Sequence, residues 1–190
     1  MTGSPATDVA ALVRAAAAGD QAAWNGLVER FGNLVWAVAR AHRLQGDDAA
    51  DVFQTTWLRL VEHLPRLREP ERVGAWLATT ARHECLRVIR RSGRETAREP
   101  ELLDLTPDDG PEVSSRLVTA ERDTAVWHAL RNTTGRCREL LGVLLAEPPL
   151  SYTEVSELLG MPIGSIGPTR RRCLEKLRRD LAEVGVHDRS

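Results

Sequence analysis

Two clusters of cationic and hydroxyl side chains in this sequence could hold a polyanion. In the first, Thr79, His83, Leu86 and Arg90 recur at helical spacing, with Arg82 and Arg87 on the flanks. Guanidinium groups on one helix face suit phosphates, and a hydroxyl or imidazole among them can reach a base edge. In the second, Ser165, Pro168 and Arg172 project to one side of another basic helix, with Thr169 and Arg171 at its edges. An Arg placed so is the usual partner of a guanine edge in the major groove. A third constellation is acidic: Asp48, Asp51, Thr55, Arg59 and Glu62 share a face, with Gln54 and Leu58 beside it. An apolar residue exposed among carboxylates suits a protein partner.

No residues are arranged for a reaction. The five His stand without a His-Asp-Ser grouping in a Gly-rich turn, without a phosphate-binding loop and without metal-ligand spacing. His42, His63, His128 and His187 read as surface or capping residues. Cys85, Cys137 and Cys173 fall on helical apolar stripes with no partner at a recognisable spacing, so the expectation is three core residues and no disulfide or zinc. The sequence therefore predicts a binding protein, not an enzyme, with no cofactor and no metal. No apolar run approaches the roughly 18 residues of a spanning helix, and Met1–Asp20 lacks a basic leader and cleavage signal. The expectation is a cytoplasmic protein with no membrane partner.

The elements that must position these clusters are helices. An opening helix is expected from about Asp8 to Ala18, and a longer one after an Asp20 cap, carrying Trp24, Leu27, Val28, Phe31, Leu34, Val35 and Val38. Gly46 should break it, and Asp47 or Asp48 should cap the acidic helix. Its core stripe is Phe53, Trp57, Leu60, Val61 and Leu64. After a Pro65–Pro70 loop, the basic helix buries Val73, Trp76, Leu77, Ala81, Cys85 and Val88 and should end at Ser92 and Gly93. Pro100, Pro107, Gly110, Pro111 and a run of acids predict a linker, and helices are expected again over 115–131 and 136–146. Ser151 and Glu154 then form a capping-box pattern, Gly160, Met161 and Pro162 a turn, and Ser165 caps a basic helix with Pro168 in its first turn and Arg170 on its core side. A short capped helix, a Gly-containing turn and a longer basic helix spell helix-turn-helix.

Charge follows the same division. The formal net charge is only −1, yet residues 82–98 hold six Arg against two Glu, residues 99–123 two Arg against eight acids, and residues 163–180 six cations against two acids. Local fields of this kind steer nucleic acid where net charge does not. The reading is an all-α chain with two small helical domains and two cores, over 1–93 and 115–190, joined by an acidic, Pro-rich linker over 94–114.

Asp48 to Arg91, with its DxxDxxQxxxLRL and WLxxxAR segments, resembles region 2 of sigma-70 family transcription initiation factors, and Arg136 to Leu181 resembles region 4. With these two regions alone and an acidic segment between, the chain is similar to the extracytoplasmic-function group. The resemblance implies a factor that binds core RNA polymerase at the β′ clamp and β flap and directs promoter-specific initiation. It implies a clamp contact through Asp48, Asp51, Gln54, Thr55 and Leu58, with Thr55 standing where the family usually has an acid. It implies that the loop from Leu67 to Arg72, Arg68 included, captures a base of the minus-10 element, and that Thr79, Arg82, His83, Arg87, Arg90 and Arg91 read and hold the opened strand. His83 replaces a common Asn. Ser165, Pro168, Thr169, Arg171 and Arg172 would read the minus-35 element, the acidic segment would lie in the RNA exit channel, and an anti-sigma factor is a possible further partner. The alternative is a two-domain helix-turn-helix repressor that acts on DNA without polymerase.

Overall fold

The computed structural model describes residues 5–96, 133 and 135–183, and every regular element among them is helical. The expected linker beyond Thr96, the helix over 115–131 and the C-terminal tail lie outside the described residues. Helices are numbered in the order the described residues form them. Helix α1 is Pro5–Ala17, α2 Gln21–Ala41 and α3 Gly46–His63. Single 3-10 turns at Leu64–Arg66 and Pro70–Arg72 lead into α4, Val73–Thr96. Helix α5 is Gly135–Leu144, α6 Tyr152–Leu159 and α7 Ile163–Glu183. None of these helices is long and apolar enough to cross a membrane.

Local chemistry sets most boundaries. The Asp20 carboxylate accepts from the amides of Ala22 and Ala23, satisfying two free donors at the start of α2. Between α2 and α3 the chain reverses through Arg43 and Gly46, both at positive φ. Gly46 therefore opens α3 and does not merely end α2, and extended Gln45 precedes it with no side-chain cap. Asp47 and Asp48 lie in the first turn, where carboxylates favour the positive end of the helix dipole. Helix α4 runs through Ser92 and Gly93 to Thr96, because one Gly costs about 1 kcal/mol and does not by itself stop a helix.

Packing rotates one expected stripe. Ala49, Val52, Thr56, Trp57 and Leu60 are the buried face of α3, continued by Leu64 of the turn that follows, while Val61 is 51% exposed. Val61 is about 100° round the helix from Leu60, which carries it to the side of Leu58 and Gln54. Thr56 is buried because its hydroxyl donates to the Val52 carbonyl at 2.7 Å. Between α2 and α3 stand Trp36, stacked on Phe53, and Trp24, edge-on to Trp57.

Two clusters of buried residues form, and the larger one draws on both halves of the chain. The main cluster of buried residues joins Leu27, Phe31, Leu34, Val38, Leu60 and Leu77 to Leu140, Val143, Leu150, Val155 and Ile166, so the C-terminal helices complete the N-terminal core. A smaller cluster holds Leu141, Cys173 and Leu177. There Cys137 and Cys173 form a disulfide between α5 and α7, with Cα atoms 5.4 Å apart. The expectation of three unpaired core cysteines is thus corrected for two of them. Cys85 alone is a free, buried thiol, and burial pushes its pKa up to about 12.

Candidate nucleic-acid interface

The basic face of α4 stands clear of the core. Thr79, His83, Arg87, Arg90 and Arg91 are exposed and Arg82 is half-buried. Val73, Leu77, Ala81 and Cys85 are fully buried on the opposite side, which fixes the rotation of the helix. Beneath that face lies a residue the sequence reading passed over. Glu84 is 8% exposed and sits between two cations: Arg59 Nε of α3 is 2.7 Å from its Oε1, and Arg87 Nη1 donates to Oε2 at 3.0 Å. A buried carboxylate flanked by two guanidinium groups ties α3 to α4 and sets the direction of Arg87. The i, i+3 pair of Glu84 and Arg87 was visible as spacing, whereas Arg59 belongs to another helix and carried no such signal.

Beside Glu84 opens a cleft of about 360 Å³ between the end of α3 and the middle of α4, lined by Arg59, Glu62, His63, Arg66, Trp76, Thr80 and His83 as well. His63 stacks on Trp76 at 5.1 Å and 12°. An aromatic wall with cations and hydroxyl or imidazole groups around it has the composition of a base-binding pocket. The loop expected to make such a pocket is otherwise occupied. Leu67 is half-buried against the core, Arg68 is exposed, and Arg72 pairs with Glu69 at 3.1 Å and with Glu157 of α6 at 2.5 Å. Those two carboxylates raise the Arg72 pKa, Glu69 first.

The helix-turn-helix forms as its sequence requires. Ser151 Oγ accepts from the Glu154 amide, and Glu154 accepts from the Ser151 amide at 2.7 Å, which closes the capping box on α6. Gly160 ends α6 at φ +60, a left-handed position that favours glycine. Helix α7 then begins at Ile163, two residues earlier than expected. The Ser165 hydroxyl donates to the Pro162 carbonyl at 2.7 Å, so Ser165 stands inside the first turn and does not precede it. Pro168 consequently lies within the helix, beyond its first turn. Pro168, Arg171 and Arg172 are exposed, Ser165 and Thr169 half-buried, and Arg172 Nη2 donates to Thr169 Oγ1 at 3.3 Å. Arg170 is also exposed, contrary to its expected core-side position, and donates to the Tyr152 hydroxyl at 3.4 Å.

The acidic surface of α3 gathers on one side of the same body. Asp48, Asp51 and Gln54 are exposed, Thr55 is half-buried, and Leu58 is 59% exposed. Val61 extends the apolar centre of this patch, one turn from Leu58. Among the described residues no group of His, Cys, Asp and Glu could hold a metal ion.

Comparison with known proteins shows what the segment that carries this geometry is similar to. The family model for sigma-70 region 2 matches residues 27–95, the segment that carries the acidic patch, the cleft and the basic face. The ECF RNA polymerase sigma factor SigE of Mycolicibacterium smegmatis is 29% identical over 173 residues, covering 88% of this chain and 66% of its own length. The RNA polymerase sigma factor YlaC of Bacillus subtilis is 25% identical over 160 residues, covering 82% and 89%. Among solved structures, CnrH in complex with the cytosolic domain of CnrY has a TM-score of 0.62 at 21% identity, covering 93% of this chain and 98% of that one. The sigma factor RpoE in complex with the anti-sigma factor NepR from Bartonella quintana has a TM-score of 0.65 at 22% identity, covering 83% and 95%. Over residues 27–95 the chain matches sigma-70 region 2, and over most of its length it is similar to curated RNA polymerase sigma factors, two of which bear the extracytoplasmic-function (ECF) name.

Proposed function

We propose that this protein binds core RNA polymerase and directs promoter-specific initiation, the two halves dividing promoter recognition between them. The observation that carries the reading is the coincidence of the region 2 match with a segment holding both an acidic, apolar-centred patch and a basic face with a cleft. Asp48, Asp51, Gln54, Thr55 and Leu58, extended by Val61, would meet the β′ clamp. Thr79, Arg82, His83, Arg87, Arg90 and Arg91 would hold the opened minus-10 strand. Base extrusion costs a few kcal/mol, and the cleft on the His63–Trp76 stack, lined by Arg66, is the place on this face fitted to repay it, with Leu67, Arg68 and Arg72 in the loop that follows Arg66 as further contacts. Ser165, Pro168, Thr169, Arg171 and Arg172 would read the minus-35 element with their half of the chain on the β flap.

The reading places the protein in the cytoplasm, gives it no catalytic role and needs no cofactor. An anti-sigma factor is a fitting inhibitor, since it would compete for the same clamp and DNA faces. The domain division at 1–93, 94–114 and 115–190 remains part of the proposal. Run-off transcription with core polymerase and a pool of genomic fragments tests the function: defined start sites that depend on the protein are expected. Tight binding to a palindromic duplex without polymerase, and no transcript with it, would favour the repressor alternative.

A further inference from the structure

Glu84 is an acid beneath a face that gathers cations, and it is not placed as a solvated charge. Its side chain is 10% exposed, against 42% for Arg59 and 50% for Arg87. Arg87 Nη1 donates to Oε2 at 3.0 Å and to Oε1 at 3.3 Å, so both carboxylate oxygens turn to this one nitrogen. Arg59 Nε, itself buried, stands 2.7 Å from Oε1 but off the line of a hydrogen bond, so it acts on Glu84 as a counter-charge. The two partners differ in role. Arg59, from α3, offsets the cost of burying the carboxylate, and the carboxylate gives Arg87 a directed anchor.

Charge alone gives no reason for this arrangement. Two cations and one anion leave a single positive charge where a neutral residue at position 84 would leave two, and attraction to phosphate rises with that number. Orientation does give a reason. A guanidinium is a rigid plane with five N–H donors, so fastening Nη1 from beneath fixes the plane of the rest while half of the Arg87 side chain stays in solvent. An unanchored Arg would have to give up its rotamer freedom on meeting a strand. Glu84 and Arg59 also line the cleft, so the same contact holds one wall of that pocket beside Arg87.

We propose that Glu84 is a positioning residue for the opened strand: it lowers the charge of the basic face by one and in exchange holds Arg87, next to the cleft wall, in the orientation the strand meets. It touches neither base nor phosphate and acts through Arg87. The proposal rests on the sigma-factor reading for the strand and on this chain's own packing for the anchor.

Charge and orientation predict opposite signs for Glu84→Gln, which keeps the shape and removes the charge. For the free protein on a duplex of unrelated sequence, binding should be unchanged or up to about tenfold tighter, with a salt slope steeper by about one counterion. With core polymerase, on a promoter fragment recovered by run-off transcription, permanganate reactivity of the minus-10 strand should appear roughly tenfold more slowly, within the range that misplacing a group costs. In an Arg87→Ala background the same substitution should change opening by less than about twofold, because the group it acts through is gone. Opening as fast as wild type or faster, an equal loss with and without Arg87, or a parallel loss of duplex binding would overturn the role. Should Glu84→Gln fail to fold, adding Arg59→Met removes the cation left unpaired. Opening slower than in Arg59→Met alone is then expected, and equal opening would overturn the proposal. A wild type that opens no fragment with polymerase would strike the sigma-factor reading instead. The order parameter of the Arg87 Nε–H bond in the free protein, expected to fall in Glu84→Gln, would still decide whether Glu84 fixes Arg87.

Discussion

Leu58 is a leucine with more than half its surface in water, and Val61 beside it is nearly as exposed. Both lie outside the core, so a partner and not stability explains them. Leu58→Glu is expected to abolish co-purification with core polymerase while changing stability by less than about 0.5 kcal/mol, as surface changes usually do. A collapse of the melting temperature would return Leu58 to the core and sink the assignment. Leu58 was legible because it falls among Asp51, Gln54 and Thr55, whereas Val61 was not: its type suggests burial, and only the packing of Thr56 and Val52 shows which side the stripe takes. The DNA faces separate in the same residue-by-residue way. Arg172→Ala should cost roughly 1–3 kcal/mol at one upstream position and relax base preference there. Arg90→Ala should weaken strand opening on all promoters alike and lower the salt slope by about one counterion. Permanganate footprinting combined with a randomised-promoter selection reads both, and exchanged effects would mean the two helices are wrongly matched to the two elements.

At the scale of helices, the sequence disclosed caps and periodicity better than starts and cross-links. The Asp20 cap and the Ser151–Glu154 box stood where their spacing put them, because both bonds are local. The start of α7 shifted because Ser165 has two uses, capping or bonding back to Pro162, and the turn geometry chose the second. The Cys137–Cys173 disulfide had no local signature, since the partners are 36 residues apart and meet only when α5 packs on α7. Closing a loop of that length is worth roughly 3–4 kcal/mol in the chain-entropy account. Reduction, or Cys137→Ser, is therefore expected to lower the melting temperature clearly, and an unchanged transition would mean the bridge does not form in solution. Thiol titration gives a second check. No reactive thiol is expected in the native, unreduced protein, one after denaturation and three after denaturation with reductant, because Cys85 is buried with its thiol held protonated.

For the whole molecule, segregation of charge was plain in the sequence and the packing of the two halves on each other was not, since amphipathic stripes record that a face is buried and never against what. Gly74 shows the difference. In the sequence it is a glycine at the head of the basic helix; in the fold a Cβ there would stand 2.9 Å from Phe31 Cε1 of α2. Gly93 lies in the same helix with open space around its Cα. Helix propensity alone favours Ala at both sites by up to about 1 kcal/mol. Packing reverses the sign at one of them, because an aromatic ring fixed in the core cannot yield the missing tenths of an ångström without shifting α2 or Leu150, and overpacking of that kind costs roughly 1–3 kcal/mol. Gly93→Ala should therefore raise the melting temperature slightly, while Gly74→Ala should lower it by roughly 2–12 °C. Because α2, α4 and the segment before α6 share that core, calorimetry should record the loss as a shift of one cooperative transition. A second, separate transition in the wild type, or a Gly74→Ala protein as stable as its parent, would mean that the halves fold independently and that the contact of Phe31, Gly74 and Leu150 does not bind them.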